Sequence, residues 1–367
     1  MGRTDRDRLF QILSVHLNNI HETFQLFDQA PVSSIAKASW DEVIKMADGV
    51  SRQATIFGML WVEQTPKAKE LQEIMEAYFN TLLGFILLSH GSTVGAGPTL
   101  SSCVYAAVKR VVDSSFHLWK ESVSLYGTDE KQSIPQLVGA VWEACSALQK
   151  TPGNNITAIG RAMTQVAVTM KDVLREMKEL KPGSTDPADD FSDQTPTKVE
   201  SKPQEDDDDD DDDDLGEGDL GNDLSPEEMK VAQSTIAVVS ETLVVLKELI
   251  RSITSLLKIA NPHDNTSLVD SLEKLSKQSQ KIGEQIDEVG ACLYPPQEVP
   301  VIKAAVENIS GIVDDMQKEV ESLKGTSEAF LQACNGLRGS LAQLKSDLDC
   351  SSPLDIETKM QKVDLNN

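Results

Sequence analysis

Nine consecutive aspartates, Asp206, Asp207, Asp208, Asp209, Asp210, Asp211, Asp212, Asp213 and Asp214, constrain this chain more than any other feature. No core accommodates such a density of like charge, because every buried carboxylate needs a partner. The run lies within residues 182–224, where two basic and 18 acidic side chains leave a net charge of −16. Large apolar residues are nearly absent there, so nothing offsets the entropy of ordering the segment. It reads as a disordered acidic linker. The expected organisation is a helical domain at 1–181, the linker at 182–224, a second helical domain at 225–350 and a flexible tail at 351–367.

On both sides of the linker the apolar residues recur at the three-and-four spacing of a helix face. The stripes before it are Phe10, Leu13, Leu17, Ile20; then Val43, Ala47, Val50, Ala54, Phe57, Trp61; then Leu71, Met75, Tyr78, Leu82, Phe85. Three more follow, starting near Leu100, Leu137 and Ile159. After the linker the stripes begin near Ile236, Leu268, Ile302 and Phe330. Ser39 with Glu42 and Ser225 with Glu228 have capping-box spacing, and Thr65-Pro66 reads as a third helix start. Breaks at Gly91 to Pro98, Thr151-Pro152-Gly153 and Tyr294-Pro295-Pro296 leave short connections, which favour antiparallel neighbours. The fold class is therefore all-α: two up-and-down helical bundles, with about six helices before the linker and four after it. Leu243, Ile250 and Leu257 have zipper spacing, but with three further helices at hand they read as a bundle seam rather than a dimerisation zipper.

Charge and composition exclude several functions. A net charge of −25 disfavours direct nucleic-acid binding, which needs a basic face. It also disfavours an anionic membrane surface. The longest strongly apolar stretch, Leu82 to Leu88, is far below the ~20 residues of a membrane span. Five cysteines with no C-x-x-C pair point to ordinary thiols in a reducing compartment. A literal G-x-G-x-x-G begins at Gly216, but the aspartates precede it where a dinucleotide site needs a strand. The aspartate run fails the EF-hand frame, and the five histidines supply no H-E-x-x-H. No catalytic residue, metal ligand or cofactor is expected. Thr195 and Ser225 each precede a proline and are candidate phosphorylation sites; Ser225 is also the natural cap of the helix that follows.

Several strings acquire meaning once the helices are placed. Val50-Ser51-Arg52-Gln53-Ala54-Thr55 falls in the second helix and Val141-Trp142-Glu143-Ala144-Cys145 in the fifth. The acidic segment runs into Asp214-Leu215-Gly216, and Leu293-Tyr294-Pro295-Pro296 follows the eighth helix. In this order they resemble the cyclin-D-interacting family, also described as Grap2 and cyclin-D interacting proteins. The resemblance implies a non-enzymatic regulator that binds D-type cyclins or helix-loop-helix transcription regulators, restrains cell-cycle entry, and resides in nucleus and cytoplasm. Two other functions suit tandem helical bundles with an acidic run: a vinculin- or talin-like structural scaffold, and an acidic chaperone for basic clients such as histones.

Overall fold

The computed structural model describes residues 2–29, 36–63, 66–128, 132–182, 223–256, 266–323 and 327–350. Thr195, the nine aspartates and the 351–367 tail lie outside the described residues. Ten α-helices appear among those described. Six precede the acidic segment: α1 (Gly2–Phe24), α2 (Trp40–Glu63), α3 (Ala68–Ser92), α4 (Pro98–Ser124), α5 (Ile134–Ala147) and α6 (Asn155–Met177). Four follow it: α7 (Pro226–Leu256), α8 (Thr266–Cys292), α9 (Val299–Ser322) and α10 (Glu328–Cys350).

Two of these helices start where local chemistry dictates. The Ser39 N–H donates to the Glu42 carboxylate at 2.9 Å, and the Glu42 N–H returns a bond to Ser39 Oγ at 3.3 Å. Ser225 and Glu228 repeat the exchange at 2.9 and 3.2 Å ahead of α7. Each box satisfies two amides that the first helical turn leaves without partners. The start expected at Thr65-Pro66 comes later: α3 opens at Ala68, with the Lys67 N–H bonded to Glu70.

The chain divides into two compact units. One comprises Met1–Gln165, Leu249–Ser279 and Glu319–Thr326; the other comprises Val166–Glu248, Gln280–Lys318 and Ser327–Asn367. Each unit thus draws residues from both sides of the acidic segment.

The first unit is built around Trp119, which is fully buried between Phe57 at 4.5 Å, Tyr78 at 5.5 Å and Phe79 at 5.8 Å between ring centroids. The tilted and edge-on arrangements are those that aromatic quadrupoles favour. Burial raises the Tyr78 hydroxyl pKa, and that group donates to Ser115 Oγ at 2.7 Å rather than facing solvent. Helices α2 and α5 come close because position 58 is glycine: a Cβ there would sit 3.1 Å from Val138 Cγ2.

In the second unit, Ile282, Ile286 and Val289 of α8, Ile302 and Ile309 of α9, and Leu337, Leu341 and Leu344 of α10 are buried. Two stripes differ from expectation. In α1 the buried residues are Leu9, Leu13 and Ile20, and Phe10 is exposed. In α7, Leu243 and Ile250 are only half-buried, whereas Val239, Leu246, Leu249 and Ile253 are buried. A strict seven-residue repeat drifts around a straight helix of 3.6 residues per turn, so the seam shifts by a position.

The only β pairing among the described residues is a two-residue parallel ladder. Lys181 pairs with Asp223 and Pro182 with Leu224. The two ends of the acidic segment are therefore held side by side.

Candidate interaction surfaces

The strings noted in α2 and α5 meet in space. Trp142 Nε1–H donates to Thr55 Oγ1 at 3.0 Å, and the Thr55 hydroxyl donates to the Ser51 carbonyl at 2.9 Å. Trp142 is nevertheless 43% exposed. One turn along α2 from Thr55, Met59 is 68% exposed, and Ile56, the residue after Thr55, is 46% exposed. A partly exposed tryptophan, held by one hydrogen bond beside a flexible methionine, has the character of a protein-binding anchor. Single exposed apolar residues are ordinary, so it is their grouping on adjacent helices that marks this face.

A second surface lies in the other unit, between the C-terminal ends of α6 and α8. Val173, Met177 and Leu180 form one wall, and Gly290, Ala291 and Tyr294 the other, around a groove of about 390 Å³. The helices approach closely because two glycines allow it. A Cβ at Gly283 would lie 2.9 Å from Val166, and one at Gly290 would lie 2.8 Å from Val173. Glu176 and Asp287 stand at the rim. Burial pushes the Asp287 carboxyl pKa up, and the neighbouring Glu284 pushes it in the same direction.

Of the residues singled out from the sequence, Ser225 is exposed and serves as the α7 cap. Its partner Glu228 also accepts a bond from the Gln297 N–H at 3.4 Å, and Gln297 Nε2 donates to the Glu228 carbonyl at 3.0 Å. The cap thereby ties the start of α7 to the turn after Tyr294. His16 stacks on Phe79 at 5.0 Å, and His90 meets the edge of Phe27 at 5.5 Å; both rings pack. Burial raises the Cys145 thiol pKa to about 12, and that of Cys334 to about 11. Neither is a reactive thiolate near neutral pH. Among the described residues no helix is long and apolar enough to cross a membrane.

Sequence reasoning noted Trp142 and Tyr294 only as parts of family strings, and it missed Met59 and the α6–α8 groove. Met59 stands outside the buried stripe of α2, so periodicity gave it no role. The groove depends on glycine contacts between distant segments.

Comparison with known proteins identifies the family. The model of the Grap2 and cyclin-D-interacting N-terminal domain matches residues 42–183, and that of the C-terminal domain matches residues 205–318. A cyclin-D1-binding protein 1 homolog of Xenopus laevis is 22% identical over 277 residues, 75% of this chain and 77% of its own length. The Danio rerio homolog is 20% identical over 306 residues, 82% and 83% of the two chains. With both domain models matched, in chain order and across both helical parts, this chain belongs to the Grap2 and cyclin-D-interacting family.

Proposed function

We propose that this chain is a non-enzymatic interaction protein that occupies a D-type cyclin and thereby restrains cell-cycle progression. The observation that carries the reading is the pair of family matches over 42–183 and 205–318. The face bearing Met59, Ile56 and Trp142 supports it physically, since exposed anchors on packed helices can transfer apolar area to a partner without refolding. Helix-loop-helix regulators are the second partner class, and action in both nucleus and cytoplasm follows from such partners. Ser225-Pro226 adds a point of regulation. A phosphoryl group on Ser225 would add about two negative charges at the α7 N-terminus, between its first-turn amides and the Glu228 carboxylate.

The test is co-elution of the full chain with a purified D-type cyclin on size exclusion. Co-elution that Met59→Glu abolishes, with its melting temperature unchanged, supports the proposal. Separate elution of the folded wild-type chain overturns it.

A further inference from the structure

The groove between α6 and α8 has features that the cyclin reading does not use. Its apolar walls run from Val173 of α6 to Leu180 just past that helix, and from Gly290 of α8 to Tyr294 just past that one. On α6 alone, Thr169 to Met177 is about 12 Å of helix at 1.5 Å per residue. Apolar anchors at i, i+4 and i+7 of a docked helix span about 10 Å, so two turns of such a helix match the groove in length. A volume of about 390 Å³ lies in the range of pockets that bury a ligand rather than a single side chain. Tyr294, 43% exposed, gives the far wall an aromatic body with a polar tip, a composition enriched at interfaces.

The two charged residues that line this groove are both carboxylates. Glu176 and Asp287 line it, and the neighbour that acts on Asp287 is another carboxylate, Glu284. A cation brought to this rim would relieve that repulsion. The ladder adds a second, independent observation. Leu180 lines the groove, and the very next residues, Lys181-Pro182, pair with Asp223-Leu224. The described residues on either side of 183–222 therefore pair beside the groove wall. The net charge of the chain, −25, raises the local concentration of a basic partner and speeds its encounter, while the apolar walls set how long it stays.

We infer that the α6–α8 groove is a docking site for a basic amphipathic helix, which seats its apolar face against Val173, Met177, Ala291 and Tyr294 and its cationic flank against Glu176 and Asp287. The inference is independent of which protein carries that helix, and of whether a D-type cyclin binds the α2–α5 face.

The experiment uses the full chain and a panel of fluorescent helical peptides. All carry leucines at i, i+4 and i+7, and their remaining positions are either Lys/Arg or Glu. Anisotropy at physiological salt reads affinity. Basic members are expected to bind saturably, and their Glu counterparts at least about tenfold more weakly. Ala291→Trp fills the groove from an exposed position and should weaken the basic peptides about tenfold. Asp287→Lys should reverse the preference between the two sets. Replacing Asp206 to Asp214 by Asn should slow association at low salt and leave the dissociation rate unchanged. Tyr294→Ala, at an exposed site, replaces Ala291→Trp if that variant loses its cooperative melt. Three results overturn the inference: no saturable binding by any basic peptide, affinity that neither groove variant changes, or binding at physiological salt that vanishes with the aspartates. The last would mean that the acidic segment alone captures cations.

Discussion

Trp142 of α5 reaches across to α2 and donates its indole N–H to Thr55 Oγ1 at 3.0 Å, 87 positions earlier in the chain. The bond ties the ring to α2, one turn before the exposed Met59. Thr55→Val removes the acceptor while keeping the side-chain volume. Because the indole edge is exposed, water can replace the lost partner, so the expected loss of stability is at most about 1 kcal/mol. Partner affinity should fall more than stability does, because the ring loses its fixed pose. Paired chemical denaturation and binding titrations would show the difference.

The first turn of α4 takes its capping carboxylate from far along the chain. Glu273 of α8 accepts from the Thr99 N–H at 2.9 Å and the Thr99 hydroxyl at 2.6 Å. Gly97 is what lets it in, since a Cβ there would sit 2.4 Å from Glu273 Oε1 and 2.8 Å from Val269 Cγ1. Glu273→Ala is expected to cost about 1–2 kcal/mol, the range of a lost helix cap. Gly97→Ala should destabilise in the same direction by expelling the carboxylate. If Gly97→Ala on the Glu273→Ala background cost as much as alone, the two would not be coupled.

A pH-dependent contribution comes from Asp347, 3% exposed at the end of α10. Its carboxylate accepts from the Ser234 hydroxyl, from Lys230 Nζ at 2.9 Å and from Gln343 Nε2 at 3.1 Å. The serine hydrogen bond, followed by the one from Lys230, lowers its pKa below the usual carboxylate value. A depressed folded-state pKa means that the stabilisation is present above the unfolded value, near pH 4, and is lost as pH falls through the folded one. Asp347→Asn should therefore cost stability at neutral pH, on the order of 1–3 kcal/mol. The difference from wild type should shrink as pH falls below the unfolded carboxylate value, near 4. Denaturant midpoints measured across that window would check the sign.

At the start of α7, Ser225→Ala removes the acceptor for the Glu228 N–H. A loss of about 1 kcal/mol is expected, and Ser225→Asp should recover most of it because aspartate caps as well as serine. Thermal melts of the three chains would decide this.

What the sequence made legible was the local chemistry. Both capping boxes are three-residue patterns, so Ser39 with Glu42 and Ser225 with Glu228 could be read directly. The stripes of α2 and α3 were equally clear, because every third or fourth position from Val43 to Trp61 and from Leu71 to Phe85 is apolar. Phe10 and Ile250 were misplaced by one position, where two neighbouring apolar residues compete for the inward face. The α6–α8 groove was not legible. It exists because Gly283 and Gly290 let Val166 and Val173 approach, and a glycine within a helix does not say which neighbour it admits. The Lys181–Asp223 pairing is likewise a contact across 41 intervening residues, with no periodic signal to announce it.

Isothermal titration of the full chain with a purified D-type cyclin tests the central claim most directly. The account predicts a saturable heat that Met59→Glu removes while the melting temperature of the chain stays unchanged. A folded wild-type chain that gives no saturable heat, or a Met59→Glu chain that binds as well as wild type, would contradict it.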